Sequence, residues 1–441
     1  MSDPARRAAL ELLTRVRTED AYANVVMSGI LTRHRCSGRD AGFAIELGYG
    51  TLRMQGFLDA VLQRCITRPW DRVEYDIREL LRLGAYQLLF MRVPAHAAID
   101  TTCNAARETG DAARVGFINA VLRKVAAHDR DGWLDELGVA EPRTDEEWGI
   151  RESHPAWIVR SLREALPNPA QLGELLAANN APARPTLTVL EGERTALAAA
   201  VGGTPGRWSD RAVILESGSP SDLDAVKSGS AIVQDEGSQL VASALAAAEV
   251  APPESAWLDL CAGPGGKAAL LARVSGDRGI DLVTVELHEH RAELMRRVLP
   301  TSVTIHVGDA RTRPWGNQFF DRVLVDAPCT GLGALRRRPE ARWRRSEADL
   351  RALRLLQREL LEAAVGATRR DGVIGYATCS PVIVETRDVV EEVVERRSDV
   401  VIEDARPLFP EDLHLPPGPF VQLWPHLHGT DAMFFALLRR V

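Results

Sequence analysis

The chain has 441 residues, 45% hydrophobic and 26% charged, with a formal net charge of −7 at pH 7. This composition is close to the globular average and excludes a disordered chain, a collagen and a coiled-coil rod, while the length calls for two or three domains. No stretch reaches the roughly 18 consecutive apolar residues of a membrane helix, and MSDPARRAALELLTRV (1–16) carries charges where a signal peptide has its apolar core, so a cytoplasmic protein without membrane association is expected.

Residues 1–140 read as helical. Ile77, Leu80, Leu81, Gly84, Ala85, Leu88 and Leu89 fall on one helical stripe, and Pro94 predicts that this helix ends near Met91. Phe117, Ile118, Val121, Leu122 and Val125 form a second stripe. An all-α domain follows. The polar segment 141–157, with two prolines, marks a boundary. Over about 157–230, helical patterns alternate with the β-branched runs PTLTVL and AVILE and with glycine and proline turns, so 141–230 is assigned to a linker and a small α/β subdomain. From 231 onward, AWLDL (256–260), LVTVEL (282–287), VTIHVGD (303–309), RVLVDAP (322–328) and GVIGYATC (372–379) are short apolar runs separated by helical stretches, and the tail MFFALLRRV reads as another strand. Strands alternating with helices predict βαβ units and a doubly wound, mostly parallel sheet over 231–441.

The charge is unevenly spread: residues 1–140 are net +1 and the remainder net −8. That balance argues against a nonspecific nucleic-acid coat but allows a local basic groove. The six cysteines, at 36, 65, 103, 261, 329 and 379, include no CxxC, and no histidine pair has zinc spacing. No metal site is expected. His426 and His428 are read as structural. Cys36, Cys65 and Cys103 are taken as small buried hydrophobes.

WLDLCAGPGGKAALLA (257–272) is a strand, a glycine-rich turn and a helix. Gly263, Gly265 and Gly266 let a ligand approach the backbone, yet the spacing is neither a Walker A loop nor a GxGxxG fingerprint. Alone, such a turn serves equally well as a tight connection. Glu286 ends the next strand, where a carboxylate accepts ribose hydroxyls; Asp309 and Asp326 end the two after it. Each carboxylate alone reads equally as a helix cap. Together with the turn they line one crevice at the topological switch point and predict a ribose-bearing adenine cofactor without a pyrophosphate, S-adenosylmethionine.

Cys329 and Cys379 each stand just past a strand, at the same sheet edge as that crevice. Carbon 5 of cytosine is a poor nucleophile. A thiolate added at carbon 6 makes the ring an enamine able to attack a methyl sulfonium, and a carboxyl group such as Asp326 beside the ring can hold its exocyclic amine and nitrogen 3. A second thiol can assist the later elimination. Residues alone leave open which cysteine attacks.

CAGPGGK (261–267), DAPCTGLG (326–333), YATCSP (376–381) and QDEGSQL (234–240) resemble the motifs of the RNA cytosine-5 methyltransferases. ELGYGTLR (46–53), LRLGAYQLLFM (81–91) and GFINAVLRKV (116–125) resemble a NusB-type helical domain. The resemblance covers nearly the whole chain. It implies that Cys261, Ala262, Gly263, Pro264, Gly265, Gly266 and Lys267 cradle the methionine end of the cofactor, that Glu286 takes the ribose and Asp309 the adenine, and that Asp326 lies between cofactor and base. Cys379 matches the nucleophile and Cys329 the cysteine that helps release product. A Pro-Cys pair carries the nucleophile in DNA cytosine methyltransferases, which on chemistry alone favours Cys329; the RNA-family pattern reverses this. Three segments depart from the family: Glu385-Thr386-Arg387 replaces an acidic–Asn–acidic triplet, RPTLTVL (184–190) lacks the Arg and Asn of an LRVN-like motif, and Ala432 stands where Gly is common.

The implied partner is RNA, 16S rRNA or an assembling small subunit, bound by a monomer. RRRPEARWRR (336–345), with six arginines and Trp343, is expected to contact it; Arg6, Arg7, Arg15 and Arg17 read equally as a second RNA contact or as an ordinary surface helix. The alternatives are a cytosine-5 methyltransferase of tRNA or another RNA, a methyltransferase of small molecules or proteins, and a non-catalytic RNA-binding assembly factor.

Overall fold

The computed structural model describes residues 3–108 and 112–441. The chain forms two compact units: residues 1–163, 170–181 and 335–344 make the first, and residues 164–169, 182–334 and 345–441 the second.

The first unit is helical, with no strand among its described residues. The predicted stripe lies on helix Tyr75–Phe90. Ile77, Leu80, Leu81, Gly84 and Ala85 are buried and Leu88 and Leu89 half-buried. The helix stops at Met91, whose backbone turns extended ahead of Pro94. Helices Gly38–Arg53 and Tyr75–Phe90 pack closely because Gly50 has no side chain. A Cβ there would come within 2.0 Å of the Tyr86 ring, whose hydroxyl donates to Glu46 at 2.6 Å. The second stripe lies on helix Ala112–Val125, with Ile118, Val121, Leu122 and Val125 in the same apolar core.

The division of the sequence at 140 and 230 differs from these units. Residues 141–163 and 170–181 pack with the helical unit, and so does the arginine run. Part of that run departs from the expected RNA contact. Arg342 is fully buried and donates to the Ser153 carbonyl at 2.9 Å and to Asn180 Oδ1 at 2.8 Å. Arg344 donates to the carbonyls of Val16, at 2.8 Å, and Ala21, at 2.6 Å. The Trp343 ring covers Gly56, where a Cβ would approach it to 2.6 Å. Carbonyl oxygens solvate these guanidinium charges in place of water. Arg342 therefore fastens this unit and is not offered to RNA, with Trp343 packed beside it, whereas Arg338 is exposed. Arg6 and Arg17 are committed too: Arg6 Nε donates to Gln87 at 2.7 Å and Arg17 Nε to Glu79 at 2.6 Å.

The second unit holds two sheets. Strands β1 (Thr186–Val189), β2 (Gly203–Pro205), β3 (Ala212–Leu215) and β4 (Ala231–Val233) form an antiparallel sheet in the order β2-β3-β1-β4. The larger sheet contains β5 (Ala256–Asp259), β6 (Asp281–Glu286), β7 (Thr304–Val307), β8 (Phe320–Asp326), β9 (Thr368–Thr378), β10 (Val400–Glu403), β11 (Val421–Gln422) and β12 (Phe434–Arg440). Its order is β10-β12-β9-β8-β5-β6-β7, with β11 beside β12. The five strands from β9 to β7 are parallel, and β12 runs antiparallel between β9 and β10. The central strands are buried on both faces, which explains their unbroken apolar runs. Apolar clusters around Trp257, Leu270 and Phe435 cover one face, and clusters around Phe320, Leu361 and Tyr376 the other. Strand order reverses between β5 and β8, so the turns after these two strands flank the crevice where a doubly wound sheet binds ligands.

QDEGSQL joins the two sheets of this unit. Asp235 caps helix Glu236–Ala247 through the Gly237 amide at 2.9 Å and also accepts from the Asp431 amide at 3.0 Å. Glu236 accepts from the amides of Trp208 and Ser209. Thr188, in the segment that lacks the LRVN pattern, donates to Gln234 Oε1 at 2.8 Å.

Candidate active site

The turn after β5 is built from backbone. Gly265 is left-handed, at φ 110°, where it caps helix Gly266–Asp277. The Gly263 amide donates to Glu286 Oε2 at 3.1 Å, and a Cβ on Gly263 would lie 2.1 Å from that oxygen. Glu286, buried at the end of β6, accepts from the His288 amide at 2.9 Å through its other oxygen. Arg291 pairs with it at 3.4 Å and donates to the Gly263 carbonyl. Half-buried Cys261 follows in the same turn; burial, then the charges of Asp259, Asp326 and Glu286, push its thiol well above the usual range. It is poorly suited to be a nucleophile.

Asp259, at the end of β5, was not singled out from the sequence. It is fully buried. One oxygen accepts from the Cys261 amide at 3.3 Å, and the other is buried without a hydrogen-bond partner. Burial, then the Asp326 charge, pushes its carboxyl up to about 7. The signal in the sequence was an acidic residue closing an otherwise apolar strand just before the glycine turn.

Lys267 lies in the first turn of the helix after the glycines, and its Nζ donates to Asp326 Oδ2 at 2.8 Å. Burial works against its charge, but the pair with Asp326 outweighs burial and holds its pKa above the ordinary value. Cys379 and Asp259 act in the same sense. The glycine turn and the end of β8 thus meet at a salt bridge.

Cys329 and Cys379, 50 residues apart, stand with their sulfurs 3.4 Å from each other. β8 and β9 are adjacent parallel strands, so the turns that leave them are neighbours. The hydrogen bond to Cys379 comes first among the causes that push the Cys329 thiol well above the usual range, followed by burial, the Cys379 charge and the Glu385 carboxylate. Asp309 stands apart from this group. It accepts from the Arg311 amide at 2.9 Å and pairs with the Arg311 guanidinium at 2.6 Å. Those bonds hold its carboxyl below the usual range despite partial burial. Ala432 is buried, and its amide donates to the Gly333 carbonyl at 2.9 Å. No group of His, Cys, Asp or Glu among the described residues has the arrangement of a metal site, and no described helix is long and apolar enough to cross a membrane.

A parallel sheet with one antiparallel strand inserted near its edge, and with a glycine turn and a carboxylate at adjacent strand ends, defines the class: a Rossmann-like methyltransferase. Residues 247–439 match the family described as 16S rRNA methyltransferase RsmB/F, and residues 3–127 match the NusB family. The chain is 49% identical to a putative methyltransferase of Mycobacterium tuberculosis, over 100% of this chain and 97% of that protein. It is 33% identical to ribosomal RNA small subunit methyltransferase B of Pseudomonas syringae, over 91% of this chain and 90% of the relative. The solved structure of PH0851 superposes with a TM-score of 0.82 at 20% identity, covering 99% of this chain and 98% of that one. That of NSun6 from Pyrococcus horikoshii with SFG superposes at 0.57 and 19%, covering 66% and 99%. The two structures share the fold. The chain belongs to the RsmB/F family of rRNA methyltransferases and is an S-adenosylmethionine-dependent enzyme with a NusB-like helical domain.

Proposed function

We propose that the protein methylates carbon 5 of one cytosine in 16S rRNA through a covalent adduct on Cys379. The observation that carries this reading is the pair of thiols in contact at the end of adjacent strands, beside the Lys267–Asp326 salt bridge. A methyltransferase acting on an already nucleophilic nitrogen or oxygen has no use for two such thiols.

Two features support the cofactor's fit: the gap at Gly263, which any Cβ would close against Glu286, and the buried Asp259 oxygen without a partner. Residues 261–267 would hold the methionine end, Glu286 the ribose and Asp309 the adenine. When bound, S-adenosylmethionine supplies an electrophilic methyl group. The chain's own residues do the rest. Asp326 holds the base edge by its exocyclic amine and nitrogen 3, and Lys267 fixes the Asp326 carboxylate. Cys379, ionised beside the Lys267 ammonium, adds through sulfur to carbon 6 and makes carbon 5 nucleophilic. After methylation, the carbon 5 proton passes to a base while the carbon–sulfur bond pair returns to Cys379 as thiolate. Cys329 serves as that base in its thiolate form: with the Cys379 sulfur bound to carbon, the Cys379 charge no longer opposes ionisation of Cys329, and the raised pKa makes its thiolate the stronger base. The target nucleotide must leave its stack to reach these groups, so a loop or single-stranded site is expected, in free rRNA or an assembling subunit.

The test is methyl transfer from labelled S-adenosylmethionine to unmodified 16S rRNA, with mapping of 5-methylcytosine, for wild type, Cys379→Ala and Cys329→Ala. Cys379→Ala is expected to lose activity by about 1,000-fold or more, and Cys329→Ala to accumulate protein–RNA adduct. Loss of adduct in Cys329→Ala alone would reverse the two thiols. No transfer to rRNA despite cofactor binding would sink the substrate assignment.

A further inference from the structure

Four residues beyond the TCSP turn, Glu385 is fully buried at the end of the short turn Ile383–Glu385. Its Oε1 accepts from the Thr330 amide at 2.7 Å and from Gln357 Nε2 at 3.1 Å. Its Oε2 accepts from the Ser380 hydroxyl at 2.7 Å and from the Thr330 hydroxyl. Thr330 directly follows Cys329, and Ser380 directly follows Cys379. Gln357, on helix Glu347–Ala367, also donates to the carbonyl of Pro328 at 2.9 Å. One carboxylate and its amide partner therefore hold the residues on both sides of Cys329 and the residue after Cys379. The backbone carbonyl of Glu385 is fixed in turn by the Tyr376 hydroxyl at 2.7 Å.

We propose that Glu385 is the positioning residue of the thiol pair: its buried carboxylate clamps the turn of Cys329 to the turn of Cys379 and sets the separation of their sulfurs. A carboxylate is an acceptor only, so four converging donors define its place and it defines theirs. Packing alone does not account for it, because burying a charge costs more than burying an apolar side chain of the same volume. The other two positions of the departed triplet play no such part. Thr386 donates to the Val382 carbonyl at 3.0 Å, and Arg387 faces Glu391 at 3.9 Å. The charge of Glu385 also disfavours ionisation of Cys329, whereas Lys267 carries its positive charge beside Cys379. The two thiols are thereby made unequal.

What the clamp does in turnover rests on the cytosine reading above; the clamp itself does not, so the first readout uses no RNA. With glutathione disulfide as oxidant, one thiolate displaces glutathione and the other resolves the mixed disulfide, releasing two glutathiones and forming the Cys329–Cys379 bond. Its rate reports how closely the thiols are held. In the full chain, Glu385→Gln is expected to slow the resolving step by about tenfold or more and to lower kcat on rRNA on the order of 100-fold, with the KM for RNA and cofactor affinity within about threefold. Glu385→Asp, which keeps the charge on a shorter stem, is expected to recover part of both. Thr330→Val, which removes one arm of the clamp, is expected to shift both in the same direction and serves if the Glu385 variants do not fold. Resolving rates within twofold of wild type in folded Glu385→Gln and Thr330→Val would overturn the proposal. Slowed disulfide closure with no rRNA methylation even by wild type would leave the clamp standing and sink the substrate assignment instead.

Discussion

The turn after β5 and the turns after β8 and β9 lie at one edge of the same sheet but are built in opposite ways. The first is backbone: glycines, an amide on Glu286 and no room for a Cβ at Gly263. The others are side chains: two thiols in contact with each other, and a threonine, a serine and a glutamine gathered on Glu385. A backbone-built turn fails when atoms are added, and a side-chain-built turn fails when hydrogen bonds are removed. The pair Lys267–Asp326 is where the two constructions meet.

The contrast breaks most sharply at Gly263. Gly263→Ala drives a methyl group into the Glu286 carboxylate, which His288 and Arg291 already hold. Cofactor affinity by titration calorimetry is expected to fall on the order of 100-fold, with the Cys329–Cys379 closure rate unchanged. A next, smaller effect lies at Asp259. Its folded pKa, about 7, stands above the unfolded value of 3.8, so its favourable contribution is complete below pH 4 and is lost as pH rises through 7. The cofactor-free protein should lose a few kcal/mol between about pH 4 and pH 8 from this group. Urea denaturation at the two ends should show the slope, and Asp259→Asn should flatten it.

Lys267→Met removes the bridge between the two halves. Asp326 is partly exposed, so solvent limits the damage to about 1–2 kcal/mol of stability by denaturant titration, while methyl transfer falls by more than that stability loss accounts for. The smallest effect is expected at Asp309, whose oxygens Arg311 already occupies. Asp309→Asn should weaken cofactor binding by only about threefold in the same calorimeter, and a larger loss would mean that Arg311 gives way when the adenine arrives.

Legibility in the sequence follows the same division. The glycine turn, Glu286, the strand-end cysteines and the central strands were readable because each depends on local requirements: a missing Cβ, a residue type at a strand end, an apolar run buried on both faces. Predicted runs at 256–260, 282–287 and 303–309 became β5, β6 and β7 with shifts of a residue or two at their ends. What could not be read was set at long range. Glu385 and Gln357 look like ordinary helix-surface residues until β8, β9 and a 21-residue helix bring their neighbours together. The short strands β2, β4, β10 and β11 carry too few residues for a period to register. The arginine run was legible only in part: clustered positive charge is the usual mark of a nucleic-acid surface, and only the carbonyls of Val16, Ala21 and Ser153 show that Arg342 and Arg344 are committed within the fold.

The anchoring of Arg342 and Arg344 has a consequence for the order in which the protein is made. The helical unit is stitched from three stretches, the last being residues 335–344, so the bonds of Arg342 to Ser153 and Asn180 cannot form until that stretch has left the ribosome. Synthesis normally lets an N-terminal domain fold before its successor appears. Here the apolar core of the first unit is supplied by residues 5–139, but its last hydrogen bonds come from a peptide encoded deep within the second, so no single cut in the chain separates the two units intact.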